Sequence, residues 1–120
     1  MKILIVESDA NLGELWQNHM ARQGHDVNLA RDQQAAEAAL NAGDFDIIVL
    51  DVMLARGSAF AVVDLASYRQ PDIQIIFVTS TSFFSDGSIF NLNANARAFL
   101  QSDIPPEDLT AVIEHYGQAS

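Results

Sequence analysis

The sequence of 120 residues contains no cysteine, few basic residues and no long apolar segment. The lack of cysteine excludes disulfide bonds, thiolate zinc sites, iron–sulfur clusters and a cysteine nucleophile. Six lysine and arginine residues stand against sixteen aspartate and glutamate residues, which gives a formal net charge of −10. A charge of this sign disfavours direct binding to nucleic acid or to an anionic membrane surface.

The apolar segment that opens the chain, residues 3–6, ends at Glu7. It is shorter than the roughly 7–15 residues of a signal-peptide core and the roughly 20 of a membrane span, so we expect a cytoplasmic protein. A hydrophobic fraction of 49% with 18% charged residues argues against disorder. The length fits a single domain over residues 1–120, and one domain of a larger protein would look the same.

Short strand-like segments alternate five times with segments of helical period. The predicted strands are residues 3–6, 26–29, 47–50, 73–78 and 98–100. The first, third and fourth are continuous runs rich in isoleucine and valine, which are typical of central parallel strands covered on both faces.

The helical segments carry apolar residues three and four positions apart. The first places Leu12, Leu15, Trp16 and Met20 on one face, with Asp9 or Asn11 as its N-cap. The others are predicted at about residues 32–43, from about 59 to before 71, at about 86–95, and from 105 to 117. This alternation predicts an α/β domain with a doubly wound parallel sheet and helices on both faces.

In such sheets the functional crevice lies at the carboxyl ends of the strands. The candidate residues there are Glu7-Ser8-Asp9, Asp51, Thr79-Ser80 and Gln101-Ser102. Two carboxylates at the ends of neighbouring strands either share protons or hold a hard cation such as Mg²⁺. An aspartate so placed can also attack a phosphoryl group, or can simply cap the turn that follows its strand.

Four segments, ILIVESD, DIIVLDVMLARGSAF, IIFVTS and AFLQSDIPPEDL, resemble in order and spacing the receiver domain of bacterial response regulators. The resemblance implies a flavodoxin-like sheet of five parallel strands in the order 2-1-3-4-5. It also implies two-component phosphorelay signalling, in which a sensor histidine kinase or a phosphotransfer protein donates a phosphoryl group with the help of Mg²⁺. A downstream effector protein or an output domain would then read the signal.

The resemblance assigns roles to individual residues. Asp51 matches the phosphoacceptor, while Glu7, Asp51 and the backbone carbonyl of Met53 match the metal ligands. Thr79 matches the hydroxyl residue that binds the phosphoryl group, and Phe99 matches the aromatic switch position. Because phenylalanine lacks a hydroxyl, only the steric part of that switch is available to this chain.

Two positions depart from the family pattern. Ser8 stands where a metal-binding aspartate belongs, and Ser102 stands where a lysine should contact the phosphoryl oxygens. Losing the lysine removes a charge-assisted hydrogen bond worth roughly 1.5–3 kcal/mol, and losing the carboxylate weakens the expected Mg²⁺ site. Asp9 and Arg56 are the nearest replacements, and we expect neither to take over these roles.

Three functions remain in competition. The first is a receiver that is phosphorylated on Asp51, and the second is a degenerate receiver that binds proteins without phosphorylation. Binding of Mg²⁺ distinguishes them, because only the first requires it. The third is an enzyme or flavin-binding protein on the same fold. The six glycines form no phosphate-cradling loop, so we expect a signalling domain and not an enzyme.

Overall fold

A single parallel sheet organises the chain. The computed structural model describes residues 1–79 and 95–117. In chain order its strands are β1 (Lys2–Val6), β2 (Asp26–Ala30), β3 (Ile47–Asp51), β4 (Gln74–Thr79) and β5 (Ala96–Gln101). In space the order is β2-β1-β3-β4-β5, and every neighbouring pair is parallel. The predicted strand order is confirmed, and all five predicted strands are present.

The described helices are α1 (Ala10–Arg22), α2 (Gln33–Ala42), α3 (Ala59–Arg69) and α4 (Pro106–Gly117). Side chains of Asp9, Asp32 and Ser58 cap the first three by accepting backbone N–H bonds from Leu12, Ala35 and Ala61. Asp9, and not Asn11, is therefore the first N-cap. Of the helix predicted at about residues 86–95, only Asn95 lies within the described residues, and it sits in a turn.

The sheet buries both faces, as the apolar strand runs predicted. One face carries Leu4, Ile48 and Phe77 toward α2 and α3, and the other carries Ile3, Val49 and Ile76 toward α1 and α4. Neighbouring residues on a strand point to opposite faces, so a strand covered on both sides must be apolar throughout. Polar residues begin where the strands end, and this edge of the sheet is consequently the place for chemistry.

The strand ends differ from the prediction by at most one residue, except at the start of β5. β5 begins at Ala96, two residues earlier than predicted, because its backbone pairs with β4 from Ile75 onward across a register irregularity between Ile75 and Ile76. Backbone pairing at a sheet edge does not require an apolar side chain, so Ala96 and Arg97 carried little signal in the sequence. Within residues 1–79 and 95–117, no helix is long and apolar enough to cross a membrane.

Candidate functional site

Two carboxyl groups lie side by side at the carboxyl edge of the sheet. Val6 of β1 pairs with Leu50 of β3, so the residues that follow them, Glu7 and Asp51, lie at the same level. Both are largely removed from solvent, with 3% of Glu7 and 9% of Asp51 exposed. The structure thus brings together the pair of acids that the strand ends predicted.

The surroundings of Glu7 favour its protonated form. Burial, and next the negative charge of Asp51, raise the pKa of Glu7 from 4.5 to about 8. The backbone N–H of Asp9 donates to Glu7 Oε1 at 3.2 Å, which favours the charged form but does not offset burial. Among the described residues the buried Glu7 Oε2 has no hydrogen-bond partner, and the Asp51 carboxyl is the neighbouring charge.

Asp51 also holds the turn that follows its strand. Its Oδ1 accepts a hydrogen bond from the backbone N–H of Met53 at 2.9 Å, and the N–H of Val52 donates to the Val78 carbonyl at 3.0 Å. The capping interpretation of a strand-end aspartate is therefore correct for Oδ1. The turn occupies Oδ1 of the carboxylate. The Met53 side chain is exposed.

The ends of β4 and β5 complete this edge. Asp51 pairs with Val78, so Thr79 lies one residue beyond Asp51 on the neighbouring strand, and Thr79 is fully buried. The N–H of Ser102 donates to the Thr79 carbonyl at 2.8 Å, which places Ser102 beside the end of β4. Phe99 is half-buried on β5, where it packs against the core on the α2 and α3 side.

The Ser8 side chain is engaged in a hydrogen bond. Its Oγ accepts a hydrogen bond from the backbone N–H of Ala55 at 2.9 Å, which ties the end of β1 to the loop between β3 and α3. In the part of the chain that the structure describes, no group of three or more acidic or histidine side chains is arranged to hold a metal ion. Two carboxylates remain, and their oxygen atoms fit Mg²⁺, which is often held through one or two carboxylates and completes its shell with water.

The side chains of Asp9 and Arg56, the nearest candidates for the two missing groups, have other contacts or surroundings. The Asp9 carboxylate is used as the N-cap of α1, where it accepts from Leu12 N at 3.2 Å. Arg56 is exposed, and it lines an open cavity of about 270 Å³ with Asp32 and Glu37 on the α2 side of the loop.

Gln33 is a residue of this region that sequence reasoning missed. Its side-chain Oε1 accepts a hydrogen bond from the backbone N–H of Ser58 at 2.8 Å, and its own N–H donates to the Arg56 carbonyl at 3.3 Å. A glutamine at the first position of a helix gives no pattern from which this contact could be predicted. The nearby Gly57, in a left-handed conformation with φ +91°, is the closest hint in the sequence.

Comparison with known proteins identifies the family. A family model described as the response regulator receiver domain matches residues 3–114. The chain is 27% identical over 114 residues to the transcriptional regulatory protein RprY of Bacteroides fragilis, covering 95% of this chain and 48% of that protein. It is 28% identical over 111 residues to the transcriptional regulatory protein TcrA of Mycobacterium tuberculosis, covering 92% and 44%. The chain therefore spans about half the length of these curated relatives.

Solved structures of receiver domains have the same fold as this chain. The non-phosphorylated HemR receiver domain from Leptospira biflexa has a TM-score of 0.87 at 22% identity, covering 99% of this chain and 95% of that one. A CheY-like response regulator receiver domain protein from Methanospirillum hungatei has a TM-score of 0.86 at 24% identity, covering 97% and 92%. With the family match over nearly its whole length and the five-stranded sheet in the predicted order, the chain belongs to the response regulator receiver domain family.

Proposed function

We propose that this receiver works in phosphorelay signalling by accepting a phosphoryl group on Asp51. The observation that carries the proposal is the buried pair of Glu7 and Asp51 at the carboxyl edge of the sheet, with Asp51 Oδ1 fixed by Met53 N. The donor would be the phosphohistidine of a sensor histidine kinase or of a phosphotransfer protein. A downstream effector protein or an output domain would read the result, in the cytoplasm and without an enzymatic reaction on a further substrate.

The chemistry needs one free carboxylate oxygen. Oδ2 of Asp51 forms the new bond to phosphorus while the bond from phosphorus to the donor histidine nitrogen breaks, and that nitrogen takes up a proton. The hydrogen bond from Met53 N keeps the carboxylate in one orientation, so that the attacking oxygen is already placed before the donor arrives. When Glu7 is protonated it is neutral, so it adds no second negative charge next to the incoming phosphoryl group.

Mg²⁺ would bind to Glu7, Asp51 and the backbone carbonyl of Met53. When bound, such a cation offsets the repulsion between a carboxylate and an incoming phosphoryl group. The donor atoms are all oxygen, as Mg²⁺ prefers, but the binding must release the proton that the carboxyl pair holds. This competition makes the cation site weaker than one built from three ionised acids.

Thr79 and Phe99 are the proposed switch. The Thr79 hydroxyl would move toward a phosphoryl group on Asp51, because the two residues end neighbouring strands. Phe99 is half-buried against the core, so an inward turn that follows Thr79 would bury more of its ring. Lacking a hydroxyl, Phe99 contributes shape alone to this change.

A second candidate function is supported by Ser8 and Ser102. The Ser8 hydroxyl accepts a hydrogen bond from the Ala55 N–H, and Ser102 has no positive charge to offer phosphoryl oxygens. Both features favour a degenerate receiver that acts as a protein interaction module without phosphorylation. The two candidates require different behaviour toward a phosphodonor, so a single experiment separates them.

The experiment is intact-mass spectrometry after incubation with acetyl phosphate, with and without Mg²⁺. The proposal expects a Mg²⁺-dependent gain of one phosphoryl group that is lost in Asp51→Asn. Asp64→Asn, which removes an exposed carboxylate from α3, is the matched control and should behave as the parent chain. If an ordinary receiver is modified under the same conditions and this chain is not, the interaction-module function is the one to pursue.

A further inference from the structure

The loop between β3 and α3 is attached to the rest of the fold at several backbone atoms. The N–H of Ala55 donates to Ser8 Oγ at 2.9 Å, and the N–H of Ser58 donates to Gln33 Oε1 at 2.8 Å. These two acceptors come from different elements, one from the end of β1 and the other from the first turn of α2. The loop that follows Asp51 is thus held from both sides by protein atoms.

The amide of Gln33 has a defined orientation. Its Nε2 donates to Glu37 Oε2 at 3.4 Å, one helical turn along α2, which turns Oε1 toward the loop. Its backbone N–H binds the Arg56 carbonyl at 3.3 Å. Gln33 therefore contacts the loop through both its main chain and its side chain.

Gly57 allows this close approach. It has φ +91°, and a Cβ built on it would overlap the Gln33 side chain, with Oε1 only 2.7 Å away. Only glycine adopts that conformation without strain and leaves room for the amide. Gly57 and Gln33 therefore pack closely against each other.

We propose that Ser8 and Gln33 are positioning residues that hold the loop beside Asp51 by hydrogen bonds, independently of any divalent cation. The inference rests on the proposed function in one respect, since the position of this loop matters for signalling only if Asp51 reacts. Ser8 is then more than a lost metal ligand. Its hydroxyl holds Ala55, two residues beyond Met53, whose N–H donates to Asp51 Oδ1.

Amide hydrogen exchange measured by NMR in the presence of EDTA tests the proposal on the full chain. The amides of Ala55 and Ser58 should be protected in the parent chain, and Mg²⁺ should change that protection less than twofold. Ser8→Ala should speed exchange at Ala55 by tenfold or more, with little change at Ser58. Gln33→Ala should do the reverse, because it removes only the acceptor of Ser58.

A conservative variant and a control sharpen the test. Ser8→Thr retains the hydroxyl and should restore protection at Ala55, while Ser102→Ala removes a hydroxyl from the same edge of the sheet and should change neither amide. Unfolding in urea, followed through the fluorescence of the buried Trp16, will verify that each variant is folded. Unprotected Ala55 and Ser58 amides in EDTA, or exchange unaffected by both loop variants, would overturn the inference.

The rate at which acetyl phosphate modifies Asp51 is the functional measurement. A positioning role predicts that Ser8→Ala slows this reaction several-fold and that Ser8→Thr does not. If the parent chain is not modified at all, the proposed function fails, while the exchange data still decide whether the loop is held as proposed. If modification proceeds at the same rate in Ser8→Ala, the hydroxyl does not position the reacting group.

Discussion

Glu7 and Asp51 lie next to each other at the ends of β1 and β3, with their carboxyl groups sharing a buried space. The folded chain therefore holds a proton on this pair at a pH where the unfolded chain would have released it. This difference couples the free energy of unfolding to pH. The sign of the effect follows from the raised pKa of Glu7.

Stability should fall as the pH rises from about 4.5 to about 8. Below that range Glu7 is protonated in both states, so the stability is at its highest and does not depend on the pH through this group. Within it the unfolded chain ionises Glu7 while the folded chain does not, so the free energy of unfolding drops by up to about 1.4 kcal/mol per pH unit. Above about pH 8 the loss levels off at the order of a few kcal/mol.

Glu7→Gln isolates this contribution, because an amide of the same shape carries no proton to lose. The stability gained by Glu7→Gln over the parent chain should grow between pH 5.5 and pH 8.5 in urea unfolding followed by Trp16 fluorescence. Asp64→Asn removes an exposed carboxylate and should show a constant difference. A constant difference for Glu7→Gln as well would mean that the pair holds no extra proton.

Much of this site was predictable because strand ends in a parallel sheet are easily located. The apolar run before Asp51 stops where the sheet stops, so the meeting of Asp51 and Glu7 follows from strand order alone. The raised pKa was not predictable, since it depends on how far the carboxyl group is buried and on which donors reach it. The sequence alone therefore does not decide whether the two carboxyl groups share a proton or bind a cation.

The contacts of Ser8 and Gln33 could not be predicted at all. From the sequence, Ser8 is recognisable only as a missing metal ligand, because a serine after a strand does not indicate which backbone N–H will donate to its hydroxyl. That N–H belongs to Ala55, 47 residues later in the chain, and its position depends on the loop path. Helix caps such as Asp32 are easier to predict, because the cap and its helix are adjacent in the sequence.

Ser8→Asp should strengthen Mg²⁺ binding at least tenfold. The new carboxylate adds a third acid to Glu7 and Asp51, and three like charges in one buried site favour a divalent cation more than two do. Without the cation the same repulsion should lower stability. Isothermal titration with Mg²⁺ will measure the affinity, with Ser8→Asn as the neutral control of similar size. Equal affinities for the two variants would contradict a cation site at this edge.

Ser102→Lys should raise the rate at which acetyl phosphate modifies Asp51 by roughly tenfold to a hundredfold. A lysine beside the end of β4 can donate a charge-assisted hydrogen bond to phosphoryl oxygens, worth roughly 1.5–3 kcal/mol. Ser102→Gln has a long neutral side chain and should have little effect. The initial rate is followed by intact-mass spectrometry in Mg²⁺. A similar gain in both variants would indicate an effect of size and not of charge.

Gly57→Ala should destabilise the chain more than Gly24→Ala. Both glycines have positive φ, +91° and +93°, so both substitutions introduce backbone strain of about 1–2 kcal/mol. A Cβ at Gly24 meets nothing within 4 Å, whereas a Cβ at Gly57 overlaps Gln33. The extra loss at Gly57 in urea unfolding, on the order of 1 kcal/mol or more, therefore measures the close packing of the loop on α2. Gln33→Ala should relieve only part of it, because the amide is removed while the Gln33 Cβ, the atom nearest to the built Cβ, stays. Equal losses at the two glycines would show that the loop yields easily and that Gln33 does not hold it.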